Sequence, residues 1–170
     1  MRPTRVWHGT PYYERLVADP LWIAEPKVDG DRCLAFVGEG GVELWSRHGR
    51  PHGYGWLGPL QDALRGLPVG TVLDGELLAS PAPRAEYVVF DLASEYALPL
   101  ASRRRLLERL LRRRRSGISI APWLDNKVAA YTSSLASGHE GIVLKQTKST
   151  YQWQRSTTGE TAVWCKVKRL

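Results

Sequence analysis

The sequence is poor in the residues from which many sites are built: two cysteines, four histidines, one methionine and two phenylalanines in 170 residues. Cys33 and Cys165 lie in apolar strand patterns without CxxC spacing. They predict buried, reduced thiols and argue against a disulfide framework or a zinc site. His8, His48, His52 and His139 fall in loop contexts and make no metal-binding pattern. No apolar run approaches the ~20 residues of a membrane span, and Met1 to Arg5 lead into no signal-peptide core, so a cytoplasmic location is expected, with no membrane partner. A GxxxxGK[ST] loop is missing, and no GxGxxG opens a helix in a βαβ unit, which removes P-loop and dinucleotide-binding folds. Acidic residues are outnumbered, 17 against 24 basic, for a formal charge of +7. A polyanion is the natural partner, although basicity does not separate DNA from RNA or an acidic membrane surface.

What is present predicts one compact α/β domain over residues 1–170, since this length suits one domain and 43% hydrophobic content opposes disorder. Gly38 to Gly41 read as a turn between strands Cys33–Val37 and Val42–Ser46. Helices are expected over Trp56–Leu67, Asp125–Ser137 and, most clearly, Ser102–Arg115, where Leu106, Leu107, Leu110 and Leu111 recur at helical spacing. The arginines around that stripe, Arg103, Arg104, Arg105, Arg109 and Arg112 to Arg115, read as a solvated basic face or as contacts to DNA phosphates. The segment Thr147–Glu160, with Lys148, Tyr151, Trp153, Gln154 and Arg155, has the mixture of a loop that lies on a nucleic acid backbone or, equally, of an ordered surface loop.

The most informative string is Lys27-Val28-Asp29-Gly30-Asp31-Arg32, preceded by Glu25-Pro26 and followed by an apolar run. It reads as a loop between two strands, able to aim a lysine into a cleft. A free lysine, with a pKa near ~10.4, attacks phosphorus only after losing its proton, which nearby cations such as Arg32 or burial promote. Strand alternation places Asp74 and Glu76 on one face and Leu73 and Leu77 on the other. In Trp164-Cys165-Lys166-Val167-Lys168 the two lysines likewise share a face, an arrangement suited to phosphate. Phe90-Asp91 ends an apolar strand, and Glu140-Gly141 to Lys145 places an acid at a strand entrance and a lysine at its exit. Taken singly, each string also fits ordinary core packing, ion pairing or solvated charge.

In this order, with Ser46-Arg47-His48-Gly49 after the lysine loop, the strings resemble the nucleotidyltransferase motifs of ATP-dependent DNA ligases over roughly residues 22–168. The resemblance implies an α/β (α+β), ATP-grasp-like nucleotidyltransferase domain with largely antiparallel sheets and flanking helices. By the same resemblance Lys27 attacks the α-phosphate of ATP and carries AMP, and Arg32 and Arg47 contact ribose, phosphate or the 5′-phosphate of a nick. Glu76 binds ribose or organises metal, Phe90 stacks on adenine, Glu140 helps position Mg2+, and Lys166 and Lys168 neutralise the α-phosphate. Glu25, Asp29 and Lys145 are further members of the pocket. Nicked duplex DNA is the implied partner. An RNA ligase, a GTP-dependent mRNA-capping guanylyltransferase and a non-catalytic nucleic-acid-binding module remain as alternatives.

Typical members continue into an OB-fold domain whose basic motif orients the leaving pyrophosphate, whereas this sequence ends at Arg169-Leu170. No OB-fold domain is therefore expected within it. Two readings follow: a minimal ligase whose own basic surface replaces those contacts, or a catalytic core that relies on a partner chain to supply them or has been cut from its natural context. Arg2, Arg5 and Arg155 are candidates, on charge alone, for reaching the β- and γ-phosphates.

Overall fold

The computed structural model describes residues 2–53, 55–78, 86–113, 116–153 and 162–169. In chain order these form β1 (Trp7–His8), α1 (Tyr13–Ala18), β2 (Trp22–Pro26), β3 (Asp31–Gly38), β4 (Gly41–Ser46) and α2 (Gly58–Arg65). Then follow β5 (Val72–Leu78), β6 (Glu86–Leu92), α3 (Leu100–Leu110), β7 (Ile118–Ile120), α4 (Lys127–Ala136), β8 (Gly141–Gln146) and β9 (Trp164–Lys168). The strands make a four-stranded sheet, β1-β9-β8-β2, and a five-stranded sheet, β4-β3-β5-β6-β7. Among the described residues only β1 with β9 and β6 with β7 pair in parallel, so the largely antiparallel α/β expectation holds.

Alternation along the strands decides which face each sheet buries. In the five-stranded sheet, Cys33, Ala35, Val37, Leu73, Leu77, Tyr87 and Val89 form one core with Leu60 and Leu64 of α2 and Leu107 of α3. In the four-stranded sheet, Ala24, Ile142, Leu144, Cys165 and Val167 pack with Leu16 of α1 and Ala130 of α4. The opposite faces of the two sheets meet around Tyr151, Val163 and Trp164, with Val6, Val72, Phe90 and Trp153 beside them. The β2–β3 connection runs from one sheet to the other. Lys27 therefore lies where the two sheets diverge.

The hairpin, both buried thiols and the three expected helices are present; the helices are shorter than expected, and α3 begins two residues earlier, at Leu100. Helix α3 stops at Leu110 because the apolar stripe ends at Leu111, beyond which further turns would bury nothing. Two expectations are corrected. Arg103 and Arg104 belong to neither a solvated face nor a DNA surface: both are buried, on the helix face that carries Leu100 and Leu107 inward. Arg103 donates twice to Asp91, from Nε to Oδ1 at 2.7 Å and from Nη2 to Oδ2 at 2.8 Å, and its Nη1 donates to the carbonyls of Leu98 and Ser149. Arg104 bonds Glu108 and the Ala121 carbonyl. Tyr151, expected on a surface loop, is 3% exposed in the inter-sheet core; the Gln154–Glu160 part of that loop, and Arg114 and Arg115, lie outside the described residues.

The Asp91–Arg103 pair has both charges fully out of water and most polar atoms satisfied, so removing one partner strands the other. Asp91→Ala should lower unfolding stability by about 3–5 kcal/mol in urea titrations. A loss below about 1 kcal/mol, typical of an exposed pair, would contradict this assignment.

Candidate active site

The cleft between the sheets has a volume of about 760 Å3 and is bounded by residues from the N-terminal segment, the Lys27 loop, the Ser46–His48 turn, β5, β6, β8 and β9. Strand register builds its floor. Lys166 of β9 pairs with Val143 of β8, which pairs with Glu25 of β2, and the next row joins Trp164 to Lys145. These side chains therefore share the inner face, as the alternation of the WCKVK string predicts.

Two glycines allow the close approaches on which the Lys27 corner depends. A Cβ on Gly30 would collide with the Leu77 carbonyl, so only glycine lets the loop lie against β5. Gly141 has φ of 146° and abuts Val167, a conformation that side chains rarely adopt. Its carbonyl accepts the Lys27 N–H at 2.8 Å and the Ser134 hydroxyl at 2.5 Å. The backbone of Lys27 is thus tied to the residue that follows Glu140.

The cations of the cleft come with counter-charges. Lys27 Nζ lies 2.5 Å from Glu140 Oε2, and Lys168 Nζ approaches the same oxygen at 3.1 Å. Hydrogen bonds from Lys27 and then Lys168 hold the Glu140 carboxyl below its ordinary value. Arg32 donates from Nε to Asp74 Oδ1 at 3.0 Å and from Nη2 to Oδ2 at 2.6 Å, while the Tyr151 hydroxyl donates to Oδ2 at 2.7 Å. Arg32 is the cation that the sequence places near the lysine. Asp74 takes up that charge, because Asp74 is fully buried and an unpaired carboxylate there would be costly.

Lys145 is 1% exposed and pairs with Glu25 at 2.6 Å. Burial pushes the Glu25 carboxyl up, and Lys145 pulls against that shift. The Lys145 ammonium also lies 4.4 Å from the centroid of Phe90 and 4.1 Å from that of Trp164. Phe90 is turned toward the cleft by a bulge: Asp74 pairs with Asp91 and Gly75 with Val89, leaving Phe90 as the extra residue. Lys166 carries no acid partner among the described ion pairs, and burial, followed by Lys168, Lys27 and Arg47, pushes its amine below the ordinary value. Arg47 stands on the exposed rim and donates from Nε to His48 Nε2 at 3.0 Å.

All the expected site residues, Glu25, Lys27, Arg32, Arg47, Glu76, Phe90, Glu140, Lys145, Lys166 and Lys168, line this one cleft, as does Asp29. Sequence reasoning missed Trp164 and His52 as wall residues, whereas Arg2 and Arg5 of the N-terminal segment, named there on charge alone, do line the cleft. Trp164 had a signal, two residues before Lys166 on the same strand face; the N-terminal segment had only its charge. Among the described residues no three His, Cys, Asp or Glu side chains cluster as a metal cage. The oxygen donors present, Glu140 and Glu76, fit a hard cation held by one or two carboxylates and completed by substrate phosphates.

The chain matches the family model described as ATP dependent DNA ligase domain over residues 81–168. It is similar in structure to mycobacterial DNA ligase D complexed with ATP and MES, with 27% identity, TM-score 0.78, and coverage of 99% of this chain and 60% of that one. For the ligase domain of M. tuberculosis LigD the identity is 29%, the TM-score 0.71, and the coverage 86% and 54%. Chlorella virus DNA ligase-adenylate, at 20% identity and TM-score 0.67, shares the fold over 99% of this chain and 69% of its own. No curated protein matches the sequence. No helix among the described residues is long and apolar enough to cross a membrane.

Burial, offset by Arg32 and reinforced by Asp74, pushes the Glu76 carboxyl up to about 7. The folded protein then holds a proton that the unfolded chain releases. The stability this group contributes is present below pH 4.5 and is lost as pH rises through about 7. With divalent metal chelated, Glu76→Gln should gain stability relative to wild type between those limits in denaturant titrations. Parallel pH profiles, or an NMR titration midpoint for Glu76 below about 5, would contradict this. A lysine fixed beside an acid, in a cleft with cations on one wall and an aromatic ring on another, agrees with what the family match states: the chain belongs to the ATP-dependent DNA ligase domain family.

Proposed function

We propose that residues 1–170 act as one adenylation domain that uses ATP to seal breaks in DNA. The single observation that carries this reading is Lys27, anchored through its own N–H to Gly141 and facing Glu140, Lys166 and Lys168 in one cleft. The amine, once deprotonated, attacks the α-phosphorus of ATP. A P–N bond forms, the bond from that phosphorus to the pyrophosphate oxygen breaks, pyrophosphate leaves with the electron pair, and the amine proton passes to solvent. AMP then moves to the 5′-phosphate of a nick, and the 3′-hydroxyl displaces it to close the backbone.

Each step is a phosphoryl transfer, for which a protein supplies position and charge rather than covalent chemistry. Lys166 is suited to the α-phosphate because its charge is not already taken by an acid, and Lys168 joins it when a phosphate competes with Glu140. Phe90 offers its face to the purine, and the Glu25–Lys145 pair closes the end of the cleft near that ring. Glu76 stands on the same wall at the height of the Lys27 loop and is suited to ribose hydroxyls. Arg47, exposed on the rim, is placed for the phosphate of an incoming strand.

Glu140 and Glu76, both on the cleft wall, would hold Mg2+, which when bound would supply charge neutralisation at the nucleotide phosphates. The DNA assignment is supported by family membership and by the net charge of +7. The chain spans 60% of the length of the mycobacterial ligase D chain it matches.

Intact mass measured after incubation with Mg-ATP should show one covalently added AMP, absent in Lys27→Ala. GTP should give no adduct. An adduct retained by Lys27→Ala, or formed with GTP in preference to ATP, would overturn the reading. Supplying nicked DNA and nicked RNA duplexes to the adenylated protein should release AMP and join strands with DNA. Sealing of RNA alone would redirect the assignment to an RNA ligase.

A further inference from the structure

The paired cations account for only part of the positive wall. Lys27 and Lys168 face Glu140, Arg32 faces Asp74, and Lys145 faces Glu25. Among the described ion pairs, four cations on the cleft wall have no acid partner: Lys166, Arg47, Arg2 and Arg5. Lys166 stands at the Lys27 corner and Arg47 on the opposite rim. Arg2 and Arg5, candidates in the sequence on charge alone, both come from the N-terminal segment, to which the adenylation steps above assign nothing.

That segment is fixed in place. Thr4 is 0% exposed; its hydroxyl donates to the Gln152 carbonyl at 3.2 Å and accepts the Gln152 N–H at 2.9 Å. Its carbonyl accepts from Arg32 Nη1 at 2.8 Å, which ties the segment to the same guanidinium that Asp74 orients. Two residues after Arg5 the chain joins the sheet, with Trp7 paired to Cys165 and His8 to Lys166. The Gly9 N–H donates to the Lys166 carbonyl at 2.9 Å. A strap held at Thr4 and again at Lys166 keeps Arg2 and Arg5 on the cleft wall while both stay exposed to incoming anions.

Arg5 is also held without losing its charge. Its guanidinium lies 4.1 Å from the centroid of the Trp7 ring, a contact that orients the planar fork and leaves its N–H groups for another acceptor. Arginine forks match phosphate oxygens in pairs. The α-phosphate is served by the Lys27 corner, so these two forks are free for the remaining phosphates of a triphosphate.

We propose that Arg2 and Arg5 bind the β- and γ-phosphates of the nucleotide and orient pyrophosphate as it leaves. This deepens the lysyl-AMP reading and rests on it for the chemical step. As Nζ of Lys27 bonds to the α-phosphorus and the bond to the bridging oxygen breaks, negative charge grows on that oxygen. Guanidinium groups on the pyrophosphate side stabilise that charge and hold the departing group in line. The same site must capture pyrophosphate for the reverse reaction, in which it attacks the adenylated lysine, regenerates ATP and returns a proton to the amine.

The test uses the full chain and its Arg2→Ala/Arg5→Ala variant. Calorimetry without divalent metal should show ATP bound roughly 10–100-fold more weakly by the variant, with AMP affinity unchanged, since only ATP carries the outer phosphates. The variant should adenylate more slowly in single turnover and need more pyrophosphate to release AMP from the adenylated protein. Arg2→Lys/Arg5→Lys should recover part of the loss. Equal weakening of ATP and AMP, or no weakening of either, would overturn the proposal. Failure of the wild-type chain to become adenylated would sink the lysyl-AMP reading by itself, whereas a selective loss of ATP affinity in the variant would still support the arginine site.

Discussion

Counter-charge governs how this domain is built, because a cation fully buried among packed elements is costly unless an acid meets it. Arg32 meets Asp74, Lys145 meets Glu25, Arg103 meets Asp91, and Lys27 meets Glu140. Each pair joins different elements. Asp91 ties β6 to α3, Asp74 ties β5 to β3 and through Tyr151 to the inter-sheet core, and Glu25 ties β2 to β8. The ion pairs that make a basic cleft affordable are therefore also the struts that set its width.

A division of labour follows from how deeply each pair lies. Arg103 and Asp91 are both at 0–1% exposure and fix structure only. Lys145 and Glu25 are nearly as deep but open onto the cleft at Phe90 and Trp164. Lys27 and Glu140 are the most accessible of these pairs, with side-chain exposures of 19% and 38%. Solvent and a nucleotide can compete for that contact, whereas they cannot for the others. Catalysis needs a nucleophile that is held in place and yet can exchange partners, and the accessible pair supplies both conditions.

Much of this could be read from the residues before any coordinates. Period-two alternation in WCKVK puts Lys166 and Lys168 on one face, and the same rule separates Asp74 and Glu76 from Leu73 and Leu77. The Pro-Lys loop falls between strands as its glycine and flanking apolar runs require. Less could be read where tertiary partners decide. Nothing local marks Arg103 and Arg104 as buried, since their acids lie on β6 and, for Glu108, one turn away. Tyr151 sits in a polar, aromatic stretch that reads as surface until Asp74 is placed opposite its hydroxyl. The short α1 and β7 have too few residues for a periodic signal, and the N-terminal strap acquires meaning only from Thr4 and its contact with Arg32.

The central claim is that the amine of Lys27 exchanges its carboxylate partner for phosphorus within this cleft. A crystal structure of the protein after exposure to Mg-ATP tests it most directly. The account predicts Lys27 Nζ bonded to the phosphorus of AMP, Glu140 no longer in contact with that nitrogen, and the purine lying on Phe90. Nucleotide found outside the cleft, or Lys27 still paired with Glu140 beside an intact, distant triphosphate in every copy, would contradict it.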